Sequence, residues 1–403
     1  MKNISYLFLL TLLVSCSKEI KLELKSGMYR ASLEALDGEV IPFNFKVISK
    51  DSLEVYNAEE VIVVDEIRYE NDSVYIQMPV FESYLSAKIS DSNTLKGFYV
   101  KPNLGRTVPF YAEMNETRFN QTQDADFNVS GNWEAVFSPH NEAESSVAKG
   151  IFKQQGNAVT GTFRTTTGDY RFLDGSMNGN VLKLSAFDGS HAFLFVATVG
   201  DSTMQGTFYS GNHFKEPFVA KRNEGFELPD ADSLTFLKEG YDKLDFSFPD
   251  SEGNMVSIED ERFKNKVVLV QLMGTWCPNC LDETKFLSDY YKENKEKDLE
   301  FVALAFEYAK TDSLAFVAIN RLKSKTGLEY PVLLAQSGSS SKGKAQEKLP
   351  MLNHVWSYPT TIFIDKEGKV RKIHTGFNGP ATGEKFTEFK TEFQSFMNTL
   401  LEE

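Results

Sequence analysis

The sequence predicts a multidomain α+β chain: two repeated all-β modules followed by one α/β domain. Three observations carry this. The first half of the 403 residues matches itself at a nearly constant offset, which marks an internal repeat. Both copies consist of short alternating segments separated by turn residues. After residue 243, apolar strand-like runs alternate with helical patterns, the order that lays helices on the faces of a sheet.

At the N-terminus, Lys2 precedes an apolar run from Ile4 to Leu13, and Val14-Ser15-Cys16 follows. Residues 1–15 read as a secretory signal, too short to span a bilayer. Leu13-Val14-Ser15-Cys16 resembles a bacterial lipobox, which implies cleavage before Cys16 and acylation of that cysteine. The expectation is an exported, lipid-anchored protein of the cell envelope, facing the periplasm. Of three cysteines, lipid consumes Cys16, so Cys277 and Cys280 have only each other. A hydrophobic content of 41% supports real cores, and a net charge of −14 argues against nucleic acid and anionic lipid as partners.

The repeat is read from three matches in one order. Gly27-Met28-Tyr29-Arg30-Ala31 recurs as Gly131-Asn132-Trp133-Glu134-Ala135, and Leu95-Lys96-Gly97-Phe98-Tyr99 as Met204-Gln205-Gly206-Thr207-Phe208-Tyr209. Pro109-Phe110-Tyr111-Ala112 recurs as Pro217-Phe218-Val219-Ala220. The first module is set at residues 27–120 and the second at 130–222, each a meander or small barrel. Asn178-Gly179 and Asp188-Gly189 supply hairpin turns. His140, His191 and His213 lie in turn-like stretches without a partner motif and read as solvated. Tyr84, Phe98, Tyr99, Phe187, Phe208 and Tyr209 read as core or cross-strand pairs. Nothing in the modules looks catalytic.

A polar linker spans residues 223–243, with a short helix around Ser233–Lys238, and the α/β domain fills 244–403. Within that domain Val267–Met273 is a buried strand and Cys277–Asn294 a helix. Glu300–Phe306 is a strand, Thr311–Lys325 a helix and Pro331–Ala335 a strand. Gln336–Lys348, rich in Ser, Gly and Lys, reads as a mobile loop. Thr360–Asp365 and Val370–Thr375 form a hairpin, and a closing helix runs from Lys385 to Leu401 with Phe386, Phe389, Phe393, Phe396 and Leu400 on one face.

Between the first strand and the first helix stands Trp276-Cys277-Pro278-Asn279-Cys280. Two cysteines three apart at a helix start are one turn apart and can bridge. The first falls where free backbone N–H groups and the helix dipole stabilise a thiolate, the species that attacks disulfides. Zinc would need four ligands, and the chain has no second cysteine pair and five scattered histidines. The pattern is a redox site, with Cys277 expected exposed and Cys280 buried.

With that segment, Val267-Val268-Leu269-Val270, Tyr358-Pro359-Thr360-Thr361-Ile362-Phe363-Ile364-Asp365 and Gly368-Lys369-Val370, the chain from Leu244 to Leu401 resembles the TlpA/ResA-like thiol-disulfide oxidoreductases of thioredoxin fold. The resemblance implies a cis Pro359 beside the cysteines. It also implies substrate docking by Trp276, Tyr358, Pro359 and Thr360, and a reductase's glutamate at Glu283. Gln271 replaces the buried Asp of thioredoxin itself, Met273-Gly274 replaces the usual Trp-Ala, and Pro278-Asn279 lacks the histidine of strongly oxidising relatives. The last departure favours a reductase.

The reading is an envelope protein disulfide reductase. Cys277 attacks, Cys280 resolves the mixed disulfide, and Glu283 moves the proton that Gln271 cannot. No cofactor is required, and the resemblance implies an inner-membrane thiol electron donor. Rival readings are an envelope binding or scaffold lipoprotein acting through its β modules, and a peroxide-reducing enzyme on the same fold. The latter would want a Thr where Gly274 stands. A copper carrier would need His354 or His374 near the Pro359 segment.

Overall fold

The computed structural model describes residues 22–91 and 94–403. The signal over residues 1–15 and the lipidation site Cys16 fall outside the described residues.

Two antiparallel nine-stranded sheets come first, and their first strands are paired alike. Gly27–Glu34 lies between Val40–Ser49 and the last strand of its sheet, Arg106–Met114. Gly131–Phe137 lies in the same way between Ser146–Gln155 and Phe214–Arg222. Strict alternation, as in Ser52–Asn57 with Leu53, Val55 and Asn57 inward, turns one face of each strand to a core. The second sheet closes, because Ala158–Thr165 pairs with both Ser146–Gln155 and Leu173–Asn178. Among the described residues the first sheet has no such closing ladder. Phe187 of the second module fills its interior, stacked on Phe43 at 4.2 Å and edge-on to Tyr99 at 5.3 Å.

The junction between the modules is also polar and buried. Asn57 is fully buried, donates to the Phe187 carbonyl at 2.9 Å and accepts from its N–H at 3.0 Å. Buried Arg118 reaches across to the Ser185 carbonyl at 3.1 Å. Of the six aromatics assigned to cores or pairs, Tyr99, Phe187, Phe208 and Tyr209 are buried, whereas Phe98 is exposed.

The C-terminal domain has a five-stranded sheet. Its strands are β1 (Val267–Met273), β2 (Leu299–Phe306), β3 (Val332–Gln336), β4 (Thr360–Ile364) and β5 (Val370–Thr375), in the order β3-β2-β1-β4-β5. β1 pairs parallel with β2 and antiparallel with β4. Every residue of β1 and β2 is buried, as expected of strands covered on both faces. The helices are α1 (Pro278–Asn294), α2 (Asp312–Thr326), α3 (Lys342–Lys348) and α4 (Glu384–Glu402). α4 buries Phe389, Phe393, Met397 and Leu400, and Phe393 meets Phe286 of α1 at 5.0 Å. This is a thioredoxin-like domain behind β-sheet modules.

Two local expectations need correction, and one element is new. The mobile loop at 336–348 contains α3, whose Ala345 is buried; Ser341 opens it and its Lys, Ala, Gln and Glu are good helix formers. The helix around Ser233–Lys238 is only a 3₁₀ turn at Ala231–Ser233. The chain beyond that turn is extended instead, with Lys238 N–H bonded to the Met351 carbonyl at 2.8 Å and Leu237 bridging Leu352. A small hairpin, Ser247–Pro249 with Met255–Ser257, was not expected from the sequence.

Candidate active site

The site begins with the end of β1. Cys277 caps α1, and its Sγ accepts the Cys280 N–H at 3.2 Å. Pro278 follows at the helix start, where its missing N–H has no partner to lose. Both thiols are free, and the Cys277 thiol donates to the Tyr358 carbonyl at 3.6 Å. The Tyr358–Pro359 bond is cis. Thr360 is buried at the start of β4, its hydroxyl donating to the Ser357 carbonyl at 2.9 Å.

Cys277 departs from expectation. It is 8% exposed, against 0% for Cys280, so both are buried. The carbonyl of Tyr358, one of the expected docking residues, already faces the Cys277 thiol. Burial, with the Cys277 sulfur next to it, pushes the Cys280 thiol well above its usual range.

Behind the cysteines is a small, fully buried polar network. Glu283 accepts from Gln271 and from Thr361, both at 2.8 Å, and Thr284 donates to Gln271 at 3.1 Å. Burial pushes the Glu283 carboxyl up to about 7, against the pull of the Thr361 and Gln271 donors. Gln271 thus serves as a donor that orients Glu283, one turn below Cys280.

Trp276 lies over Gly274. A Cβ on that glycine would sit 2.3 Å from the indole nitrogen, so an Ala there would require the indole to shift. The indole N–H donates to the Phe306 carbonyl at 3.0 Å. Glu307, the next residue, is a second buried carboxyl that sequence reasoning missed. It accepts from the Thr275 N–H at 2.7 Å and hydroxyl at 2.8 Å, and burial raises it to about 7. A charge at the end of the apolar run of β2 was the available signal.

The larger surprise is in front of the cysteines, where the second β module sits. Arg171 donates to the Pro278 carbonyl at 3.1 Å and pairs with Asp282 of α1 at 2.9 Å. It also pairs with Glu60 of the first module, and Asp188 lies at 4.0 Å. Burial works against its charge, but Asp282, Glu60 and Asp188 outweigh that and hold it cationic. Asn279 donates to the Asp169 carbonyl at 3.1 Å, and the Asp169 carboxylate takes the Gly379 N–H at 2.6 Å. Burial pushes that carboxyl up to about 6. Ser190 donates to the Trp276 carbonyl at 2.8 Å and Ser357 to the Thr167 carbonyl at 3.0 Å. The module in which nothing looked catalytic thus contacts Trp276, Pro278, Asn279 and Asp282 of the motif and its helix, and Ser357 and Gly379 beside them. No local pattern could reveal this, since Arg171 and Pro278 are 107 residues apart.

The histidines are dispersed. His191 lies 3.7 Å from Asp188, and His374 is 2.7 Å from Asp232. His354 lies against Trp356 in a tilted ring contact at 5.2 Å. Among the described residues no group of three or more His, Cys, Asp or Glu is disposed to hold a metal ion. No helix among them is long and apolar enough to cross a membrane.

Comparison with known proteins places this site in context. The Redoxin family model matches residues 238–390. Thiol-disulfide oxidoreductase ResA of Bacillus subtilis (strain 168) is 29% identical over 140 residues, covering 35% of this chain and 69% of ResA. ResA of Bacillus thuringiensis subsp. konkukian is 29% identical over 150 residues, covering 37% of this chain and 75% of that protein. Among solved structures, a thiol-disulfide oxidoreductase from Bacteroides fragilis has 24% identity and a TM-score of 0.27, covering 37% of this chain and 99% of its own.

Proposed function

We propose that this chain, a thiol-disulfide oxidoreductase whose C-terminal region is a Redoxin domain, reduces protein disulfides in the cell envelope through Cys277 and Cys280. The observation that carries the reading is the free thiol pair on one turn of α1, with Glu283 buried beneath it. The Cys277 thiolate attacks one sulfur of a substrate disulfide. That S–S bond breaks, the second substrate sulfur leaves as a thiolate, and a mixed disulfide forms. Cys280 then loses its proton and attacks the Cys277 sulfur. The substrate leaves with both cysteines reduced, and Cys277–Cys280 is oxidised by two electrons. An envelope thiol donor reduces it for the next cycle.

Glu283 is assigned the proton of Cys280. A thiol held high by burial needs a base when it resolves, and a carboxyl titrating at about 7 is matched to that step. Trp276, Tyr358, Pro359 and Thr360 form the docking edge. Lipid at Cys16 would hold the chain at a membrane. Domain limits at 27–120, 130–222, 223–243 and 244–403 complete the reading, with the second module as a cover over the thiols.

Insulin reduction by the full chain tests it, together with trapping. Cys280→Ser should accumulate covalent mixed disulfides, and Cys277→Ser should form none and lose turnover. Adducts formed equally by both variants would remove the assignment of attacking and resolving thiols.

A further inference from the structure

Where the two β modules and the C-terminal domain converge there is a cleft of about 250 Å³ that shares only Trp276 with the redox site. The first module contributes Tyr99, Lys101 and Arg106, the second His213, and the C-terminal domain Trp276 and Tyr308. No Asp or Glu lines it, although acidic residues outnumber basic ones by 57 to 43 in the chain.

Its cations are also unneutralised. Arg106 has no hydrogen bond or ion pair within the described residues. Lys101 has only the Ser190 carbonyl, at 2.7 Å, and no carboxylate partner. Uncompensated positive charge in a concave, partly buried site is costly, and a bound anion is what relieves it. Burial, then the charge of Arg106, pulls the Lys101 ammonium down to about 8. His213 is driven down to about 4 by burial together with Arg106, Lys101 and His191. The nearby acids are engaged elsewhere: Asp188 by His191 and Arg171, Glu82 by Asn103, and Glu307 by Thr275. Three aromatic side chains complete the wall, so the cleft pairs cations with an apolar surface, the usual composition of a small-molecule site.

We propose that this cleft binds a small organic anion, a phosphate or carboxylate held by Lys101 and Arg106 with an apolar portion against Tyr99, Tyr308 and Trp276. Ser190 ties the site to the thiols, since it accepts from Lys101 and donates to the Trp276 carbonyl next to Cys277. The same anionic chemistry could come from an acidic segment of a docked polypeptide, and the experiment separates the two.

Calorimetric titration of the full chain with phenyl phosphate, inorganic phosphate and a tetraglutamate peptide at pH 7 and low salt is the test. Phenyl phosphate should bind once per chain and more tightly than inorganic phosphate. Arg106→Gln and Lys101→Gln should each weaken it at least about tenfold, as expected for losing a charged hydrogen bond. The exposed Lys50→Gln should not. Because the anion favours the protonated Lys101, binding should weaken as pH rises through 8 and take up protons there, and Lys101→Gln should abolish that uptake. Arg106 has no structural partner to lose, so its variant should melt like the parent. No saturable binding, equal weakening by Lys50→Gln, or equal affinity for the two phosphates overturns the proposal. So does binding of the peptide alone.

Discussion

The two β sheets share a strand count and a way of pairing first strand with last, yet they are finished differently. The second closes on itself through Ala158–Thr165 and has its own core around Trp133, Phe163 and Phe195. Among the described residues the first stays open, and it borrows Phe187 from its neighbour, so its core is continuous with the rest of the molecule. Their contacts with the C-terminal domain differ as well. The first module meets α2 through partly exposed ion pairs, Glu66 with Arg321 and Lys325. The second meets the cysteine motif itself, through the buried Arg171. One architecture thus meets α2 in one copy and, in the other, the helix start that carries the cysteines. Which residues the edge loops present decides the role, and the sheet topology does not.

The largest expected effect is at Arg171. Arg171→Met leaves Glu60, Asp188 and Asp282 without their shared cation, and breaking a buried pair in this way costs about 3–5 kcal/mol. The segment around 166–171 should lose hydrogen-exchange protection, and alkylation of Cys277 should accelerate at least tenfold by the proposed cover mechanism, on the order expected for about 1.4 kcal/mol of opening. Unchanged labelling with intact folding would mean that the second module does not restrict access.

Glu283 tests the side of the site that neither module reaches. Its carboxyl is raised from 4.5 to about 7, so between those values the folded chain holds a proton that the unfolded chain has released. Stability from this group is therefore present at low pH and falls as pH rises through 7, by about 3 kcal/mol in all. Glu283→Gln should flatten that slope, leaving the similar contribution of Glu307. It should also slow resolution of the mixed disulfide without changing Cys277 alkylation. Denaturant midpoints from pH 5 to 8 and single-turnover kinetics read the two effects separately.

The sequence carried the C-terminal domain well because its signals are local. The apolar run of β1, the capping cysteine of α1 and the aromatic stripe of α4 each follow from residues within a few turns of one another. Glu283 was legible for the same reason, since its distance from Cys280 is fixed by helix geometry. What the sequence did not disclose was relational. Cys277 was expected exposed, because a helix N-terminus is normally open; in the fold it lies against the Tyr358 carbonyl, and the neighbouring Pro278 and Asn279 are held by residues about 110 positions away in the chain. Phe187 read correctly as a core residue, but nothing in the pattern says that the core belongs to the other module. Composition misled at 336–348, where the Ser-rich start of the segment hid the helix-forming Lys342–Lys348.

A smaller effect is expected at the seam between the modules. Asn57→Ala would orphan the buried N–H and carbonyl of Phe187, at about 1–3 kcal/mol. Since Phe187 completes the first sheet, that sheet should loosen more than the closed barrel does, which hydrogen exchange can resolve strand by strand. Equal loosening of both would erase the distinction drawn between a borrowed core and a self-contained one.

Smallest of all should be Arg321→Ala, on the first module's side of the comparison. Arg321 holds Glu66 at 2.9 Å and the Met78 carbonyl at 2.7 Å, but Glu66 is 37% exposed and keeps Lys325 at 2.8 Å as a second partner. Solvent screening leaves such a pair worth about 1 kcal/mol or less. Removing Arg321 still leaves Glu66 compensated, whereas removing Arg171 strands three acids in a dry site. The melting temperature should therefore barely move, and Cys277 alkylation should match the parent. If Arg321→Ala instead exposed Cys277 as strongly as Arg171→Met, the two modules would be acting as one rigid cover. Their different contacts would then be two halves of a single clamp.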